Sequence, residues 1–437
     1  MNFPYRFSAG LLLACVCAAV PVLAAPPQEK ILHSFAGPPA DGAIPSATLI
    51  ADKSGNLYGT TQQGGTGGCI EAGATLGCGT VFELTPPSTS GGSWTETVLY
   101  SFQGASDGVT PLAGLVMDAE GNLYGTTAGA NSFGAGAVFE LSPPATSGGS
   151  WTLTTLHAFE GSDGAAPSGN LMFDKIGNLY GTTQGGGYYG GTYCLNSGCG
   201  TVFELSPPVT SGGAWTEKVL YALTADLDGA YPRAGLVMDE AGNLYGTTYA
   251  GGVNKTNPCT STFDGCGTVF QLHPSAGTWT EHILHRFTWT DGDRPVDTLT
   301  FYKGALYGTT SEGQDYGSVF QLAVSAGKWT LTSLFTFNEN DGSFPMSEVA
   351  IDSSGNLFGT TNGGPANGLY GSVFELSPPT TSGGAWGQTT LHSFTSGANG
   401  GPIGGLLLRG NVLYGTTSAC SDSACTGGYG TVFAMTK

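Results

Sequence analysis

Along this chain, short runs of alternating apolar and polar side chains are separated by clusters of Gly, Pro, Asn and Ser. Alternation with period two, bounded by turn-forming residues, predicts strands, and no window sustains a helical period. The clearest run reads Asn-Leu-Tyr-Gly-Thr-Thr in most copies. Its aromatic residue falls at Tyr58, Tyr124, Tyr180, Tyr245, Tyr307, Phe358 and Tyr414, at spacings of 66, 56, 65, 62, 51 and 56 residues. Self-similarity at this period marks a repeat architecture.

The second copy serves as the type. Ala113 to Asp118 is an apolar run, and Ala119-Glu120-Gly121 turns the chain back into Asn122 to Thr127. A Gly-rich loop leads to Gly136 to Leu141. The Pro143-Pro144 segment makes the next turn, since Pro fixes φ and Gly admits positive φ. Trp151 to Phe159, rich in Thr and aromatics, is the fourth strand. Four short antiparallel strands, repeated seven times, predict an all-β fold, a seven-bladed β-propeller. Ile31 to Phe35 matches a fourth strand, and Gly430 to Met435 matches a third. The N-terminal strand is therefore expected to join the last blade, closing the ring and covering two open sheet edges.

If the first strand of each blade lines the channel, two sets of loops share one face. These are the links from each fourth strand to the next blade and the loops between second and third strands. The Asp-x-x-Gly-Asn and Pro-Pro turns lie opposite. Loop length varies most on the first face, where binding is expected.

Composition narrows the class. Gly 73 and Pro 24 in 437 residues would suit low complexity, but 40% hydrophobic and 11% aromatic residues supply a core. A charge of −19 from 13 basic and 32 acidic residues gives nucleic acid or an anionic membrane no electrostatic footing. Arg6, the apolar run Leu11 to Val20 and the small-residue site Val22-Leu23-Ala24 read as a signal peptide over residues 1–24, leaving a propeller over 25–437. A lesser reading acylates Cys15 within Leu12-Leu13-Ala14-Cys15, but it strands a second apolar run in the mature chain. No later stretch approaches the ~20 apolar residues of a membrane span. The expected compartment is periplasmic or extracellular, and the expected state a monomer.

Eight cysteines remain after export, in four local pairs: Cys69 with Cys78, Cys194 with Cys199, Cys259 with Cys266, and Cys420 with Cys425. All sit between the Gly-Thr-Thr phrase and the next strand. Their irregular spacings do not suit a zinc ribbon, so loop-closing disulfides are expected.

Asp-Gly recurs before each first strand, at Asp41, Asp107, Asp163, Asp228, Asp291 and Asp341, with Asn399 in the seventh place. One reading is a turn in which Asp bonds backbone amides. The other is an acidic ring at the channel mouth, binding a cation, an amine or a hydroxyl-rich ligand. Calcium is conceivable where Asp226 joins Asp228 or Asp293 joins Asp291, although neither pair has a full calcium-loop spacing. His33, His157, His285 and His392 exchange with Tyr100, Tyr221 and Phe335, and read as space-filling between blades. His273 and His282 have no recurrent acidic partner.

A single site must differ from its copies, so residues that break the symmetry carry more information. Tyr231, Arg233, Trp289 and Arg294 add bulk or positive charge to blade-linking loops, and Tyr188 and Tyr189 crowd one cysteine loop. They are candidates to stack on sugar rings or hold peptide. The competing reading has them capping loops. Glu71, Glu312 and Glu348 are unrepeated acids. The elbow-like Gly104-Ala105-Ser106-Asp107-Gly108 and the Gly185 to Gly190 run fit catalytic and dinucleotide patterns only formally, since no helix follows either.

The recurrent Gly-Asn-Leu-Tyr-Gly-Thr-Thr, the Gly-Gly after it and Gly-Thr-Val-Phe-Glu-Leu resemble the bacterial GloVer tandem-repeat proteins over essentially the whole mature chain. The resemblance implies a secreted or surface-exposed protein and brings no catalytic residues to transfer. Members often end in an anchoring segment, whereas this chain stops at Lys437, so release rather than anchoring is expected. The leading expectation is a non-catalytic module binding carbohydrate or another extracellular polymer. A polysaccharide lyase or hydrolase acting at the channel mouth is the second, and would need paired carboxylates or an unrepeated acid/base group. A structural scaffold for protein partners is the third.

Overall fold

The computed structural model describes residues 27–437 apart from 72–73, 105–106, 130–134, 147, 190–193, 195–196, 211, 253–258, 260–264, 339, 364–368, 382, 396–400 and 419–427. Seven four-stranded antiparallel blades form a ring, a β-propeller. Blade 1 holds Ile50–Ala51, Leu57–Thr61, Thr80–Thr85 and Thr95–Ser101. Blades 4 and 5, which matter most below, end in the strands Thr278–Arg286 and Lys328–Thr336. The first strands are shorter than the apolar runs suggest: Val116–Met117 is all that pairs within Ala113 to Asp118. Ala113 lines the central channel instead, and Leu115 packs in the core beside Tyr58.

Closure follows the sequence reading. Lys30–Ser34 pairs antiparallel with Thr431–Thr436, with Lys30 opposite Ala434 and Ser34 opposite Thr431. It supplies blade 7 with the outer strand that the C-terminal residues lack.

Each blade packs face to face on the next. Tyr58 of the repeated phrase inserts among Leu123, Phe139 and Leu141 of blade 2, and Tyr245 among Leu306, Phe320 and Leu322 of blade 5. At the end of most fourth strands a Phe meets the third-strand Phe of the following blade edge to face. Phe35–Phe82, Phe102–Phe139 and Phe287–Phe320 have centroids 5.1, 5.3 and 5.2 Å apart. Such pairs add about 0.5–1.5 kcal/mol each beyond area burial.

The glycine of the phrase makes room for that ring. A Cβ on Gly59 would stand 2.6 Å from Phe82 Cζ and 2.8 Å from Leu49 Cδ2. The same collision recurs at Gly125, Gly181, Gly246, Gly308 and Gly415.

Blade-linking loops and cysteine loops share one face, as expected. The amide of Thr110 donates to the Cys78 carbonyl, that of Tyr231 to Cys199, and that of Arg294 to Cys266. These donors sit at positive φ (55°, 57° and 56°), in the left-handed region, each immediately before a Pro. Disulfides Cys69–Cys78, Cys194–Cys199 and Cys259–Cys266 close the loops beneath them. They fit an oxidising compartment. The expected Cys420–Cys425 pair and the signal peptide, with Cys15, lie outside the described residues. No described helix is long and apolar enough to cross a membrane.

Candidate functional site

None of the six aspartates of the Asp-Gly turns lines the cavity of the central channel. Each turns toward its own loop and toward the preceding outer strand. Asp41 accepts from the Ala36 and Gly42 amides, Asp107 from Gln103, Asp163 from Glu160, Asp228 from Thr224, Asp291 from Thr288 and Asp341 from Asn338.

The histidines are not mere spacers, which corrects the sequence reading. His33 Nε2 stands 3.3 Å from Asp41, His157 Nε2 2.9 Å from Asp163, and His285 Nε2 3.1 Å from Asp291. Where Tyr replaces His, its hydroxyl donates to the same carboxylate: Tyr100 to Asp107 at 2.9 Å and Tyr221 to Asp228 at 3.2 Å. Phe335 has no donor, and there the Asn338 side chain bonds Asp341. Burial opposes ionisation of Asp41 and Asp291, but hydrogen bonds from the histidines and backbone outweigh it and hold both below the ordinary 3.8.

A third position completes each blade interface. It lies on the outer strand of the following blade and holds Glu96, Leu153, Glu217, Glu281, Leu331, Gln388 or, across the 6–7 interface, Glu29. His392 meets Glu29 at 3.4 Å. Burial, with the neighbouring aspartate charge, pushes Glu96 and Glu217 to about 7 and Glu281 to about 8.

At the interface between blades 4 and 5 that position is Leu331, and a cleft of about 520 Å³ opens. The loop joining the second and third strands here runs only from Ser311 to Gly317, carries no cystine and forms part of the cleft wall. Trp289, 40% exposed, stands on its wall with His285, Asp291, Glu312, Gln314, Asp315, Thr330 and Ser333. Trp329 forms another part of the lining and packs edge-on against Tyr245. Arg294 pairs with Glu312 and fixes that carboxylate.

The central channel holds a second, smaller cavity of about 180 Å³, lined by all seven blades. The residue three places before each first strand is Ala47, Ala113, Gly169, Ala234, Asp297, Ser347 or Gly404. Only blade 5 places a carboxylate there. Asp297 accepts from the amides of Thr298 (2.6 Å) and Glu348 (2.7 Å). Burial and the adjacent Glu348 charge raise the Asp297 pKa. Burial raises that of Glu348, against a hydrogen bond from Thr48. Glu348 reaches Thr48 by passing over Gly405, where a Cβ would stand 2.6 Å from both Glu348 Cγ and Thr48 Oγ1. Asp297 escaped the sequence reading because it follows an Asp-Gly-Asp run that looked like turn chemistry. Alignment of the seven copies would have exposed it as the one acid among Ala, Gly and Ser.

A family model of the Gloeobacter/Verrucomicrobia repeat matches residues 23–258 and again 256–437. The chain belongs to that family. Among solved structures, this Gloeobacter/Verrucomicrobia repeat protein is similar to a periplasmic gluconolactonase of Pseudomonas aeruginosa, at 14% identity and TM-score 0.49, over 80% of this chain and 85% of that one. A protein from Lactobacillus plantarum gives 14% and 0.49, over 83% and 88%. A gluconolactonase from Xanthomonas campestris gives 16% and 0.40, over 80% and 95%. At these values the likenesses carry no functional argument. No curated protein sequence matches the chain.

Of the residues that break the repeat, the structure brings Trp289 into the cleft beside the recurrent Asp291, with Arg294 behind it. Arg233 points elsewhere: it lines the central cavity and lies 3.8 Å over the Tyr249 ring. Tyr188 and Tyr189 are exposed on the blade 3 loop, and Tyr231 is half-buried at its strained link. The calcium pairings find little support. Asp291 is engaged by His285 and Thr288, Asp228 by Tyr221 and Thr224, and Asp293 lies against the Cys259–Cys266 cystine, whose sulfurs are spent in the disulfide.

Proposed function

We propose that this repeat protein is an exported, non-catalytic module that binds carbohydrate in the cleft between blades 4 and 5. The observation that carries the reading is an exposed indole, Trp289, in a cleft that sets an apolar wall from Trp329 and Leu331 beside carboxylate, amide and hydroxyl groups. Sugar rings offer an apolar C–H face for an indole and hydroxyls for Asp315, Gln314, Glu312 and Thr330. A volume near 520 Å³ falls in the range of small-molecule sites, about 300–1,000 Å³. The net charge of −19 favours a neutral glycan over a polyanionic one.

A glycan array followed by calorimetric titration of the best hit tests this. Trp289→Ala is expected to weaken binding at least tenfold while leaving the thermal midpoint unchanged. If the wild type captures no glycan, or Trp289→Ala binds as tightly, the reading fails and a protein-interaction scaffold takes its place.

One observation favours a second reading, hydrolysis or elimination on a polysaccharide. Asp297 and Glu348 form an unrepeated carboxylate pair with raised affinity for a proton, a combination suited to general acid–base work. Turnover of a polysaccharide that is abolished by Asp297→Asn would establish it.

A further inference from the structure

Two of the blade interfaces assemble more than a hydrogen bond. Between blades 7 and 1, His33 on the closing strand, Asp41 in the link and Glu96 on the outer strand of blade 1 converge. Between blades 2 and 3, His157, Asp163 and Glu217 do the same. In each trio one ligand atom per residue lies within 4.8 Å of the other two. The Oε1 atoms of Glu96 and Glu217 are buried and accept no hydrogen bond. Buried carboxylate oxygens without a partner are costly and call for a missing cation or donor.

We propose that these two interfaces bind a divalent first-row transition ion such as zinc, one ion at each. An imidazole nitrogen with two carboxylate oxygens suits zinc or manganese better than calcium, which prefers an all-oxygen shell. Ligand bonds of about 2.0–2.2 Å would draw the three side chains inward from separations of up to 4.8 Å. The His–Asp separations of 3.3 and 2.9 Å already span what such an ion would bridge.

The four interfaces between blades 1 and 2, 3 and 4, 4 and 5, and 5 and 6 act as controls within the same chain. Tyr100 and Tyr221 stand where the imidazole would be, and Leu153, Leu331 and Gln388 stand where the glutamate would be. Glu281 also has an unpartnered buried Oε1, but its neighbour is Tyr221, a poor ligand for zinc when protonated, so that interface lacks the trio. Neither trio borders the blade 4–5 cleft, so the proposal is independent of glycan binding. The first ion would tie the closing strand Lys30–Ser34 to blade 1, and the second would clasp blades 2 and 3.

The test uses the full chain, stripped with a chelator under non-reducing conditions and titrated calorimetrically with zinc chloride. Two equivalents per chain are expected, with a higher thermal midpoint in the loaded form. Glu96→Gln and Glu217→Gln should each retain one equivalent, while Glu281→Gln retains two. The absorption spectrum of the cobalt(II) form should lose about half its visible intensity in either single variant. His157→Asn repeats the count at the second interface, and the midpoint of each metal-free variant shows that it is folded. A wild type that takes up no zinc overturns the proposal. So does a count unchanged by Glu96→Gln and Glu217→Gln, or calcium binding as tightly as zinc.

Discussion

The two adjacent threonines of the repeated phrase have separate tasks. Thr60 donates its hydroxyl to the Ala113 carbonyl of the next blade at 2.9 Å, while Thr61 bonds Thr80 Oγ1 within its own blade at 2.8 Å. The first bond recurs around the ring, from Thr182 to Ala234, Thr309 to Ser347 and Thr360 to Gly404. Thr247 breaks the series: its buried hydroxyl has no partner, at the junction where Asp297 replaces the small residue. Thr182→Val should therefore lower stability by about 1 kcal/mol or more, since it also strips a buried carbonyl of its donor. Thr247→Val should be neutral or stabilising, and urea unfolding of the two variants compares them directly. Gly246→Ala, whose Cβ would stand 2.6 Å from Phe270 Cζ, should cost about 1–3 kcal/mol in the same assay. At this scale the sequence was half legible. Exchange of His with Tyr and Phe suggested bulk, because Tyr and Phe share a shape. What His and Tyr share is a hydrogen-bond donor, and that becomes visible only when the loop aspartate folds back onto it.

At the scale of the element, the strand Lys30–Ser34 decides whether the ring is whole. It buries Leu32, and the adjoining Phe35, among Leu49, Phe82 and Leu84 of blade 1 and Val432 of blade 7. Leu32→Glu should release it, leaving Thr431–Thr436 as an open edge that recruits other chains. Size-exclusion chromatography is then expected to show higher oligomers where the wild type gives one discrete species. This element was fully legible, since a missing fourth strand at one end and a spare one at the other leave a single way to pair. The cleft was not. It is bounded by a short loop and by Leu331, and a volume of empty space leaves no positive mark on a sequence.

For the whole molecule, acids of opposite character set the response to pH. Burial and the Asp228 charge, partly offset by Arg286, raise Glu281 from 4.5 to about 8. The folded state thus binds more protons than the unfolded one between those values, and stability must fall as pH rises across that window. Asp239 and Asp352 work the other way. Burial opposes their ionisation, but bonds from Asn243 and Tyr245 to the first, and from Lys437 and Asn356 to the second, hold both below 3.8. Their contribution is present above 3.8 and is lost as pH falls through the lowered values. A stability maximum on the acidic side of neutrality is expected from thermal unfolding across pH. Glu281→Gln should flatten its alkaline limb while leaving the acid limb in place.

The pairing of Lys30 with Ala434 also imposes an order on the chain's assembly. The first described strand hydrogen-bonds to the last, so blades 1 to 6 can form from contacts local in sequence while the seventh must bring together segments about 400 residues apart. Contacts this distant in sequence are slow to form. Until they do, the protein carries two unpaired sheet edges, and their protection must come from something other than the finished fold.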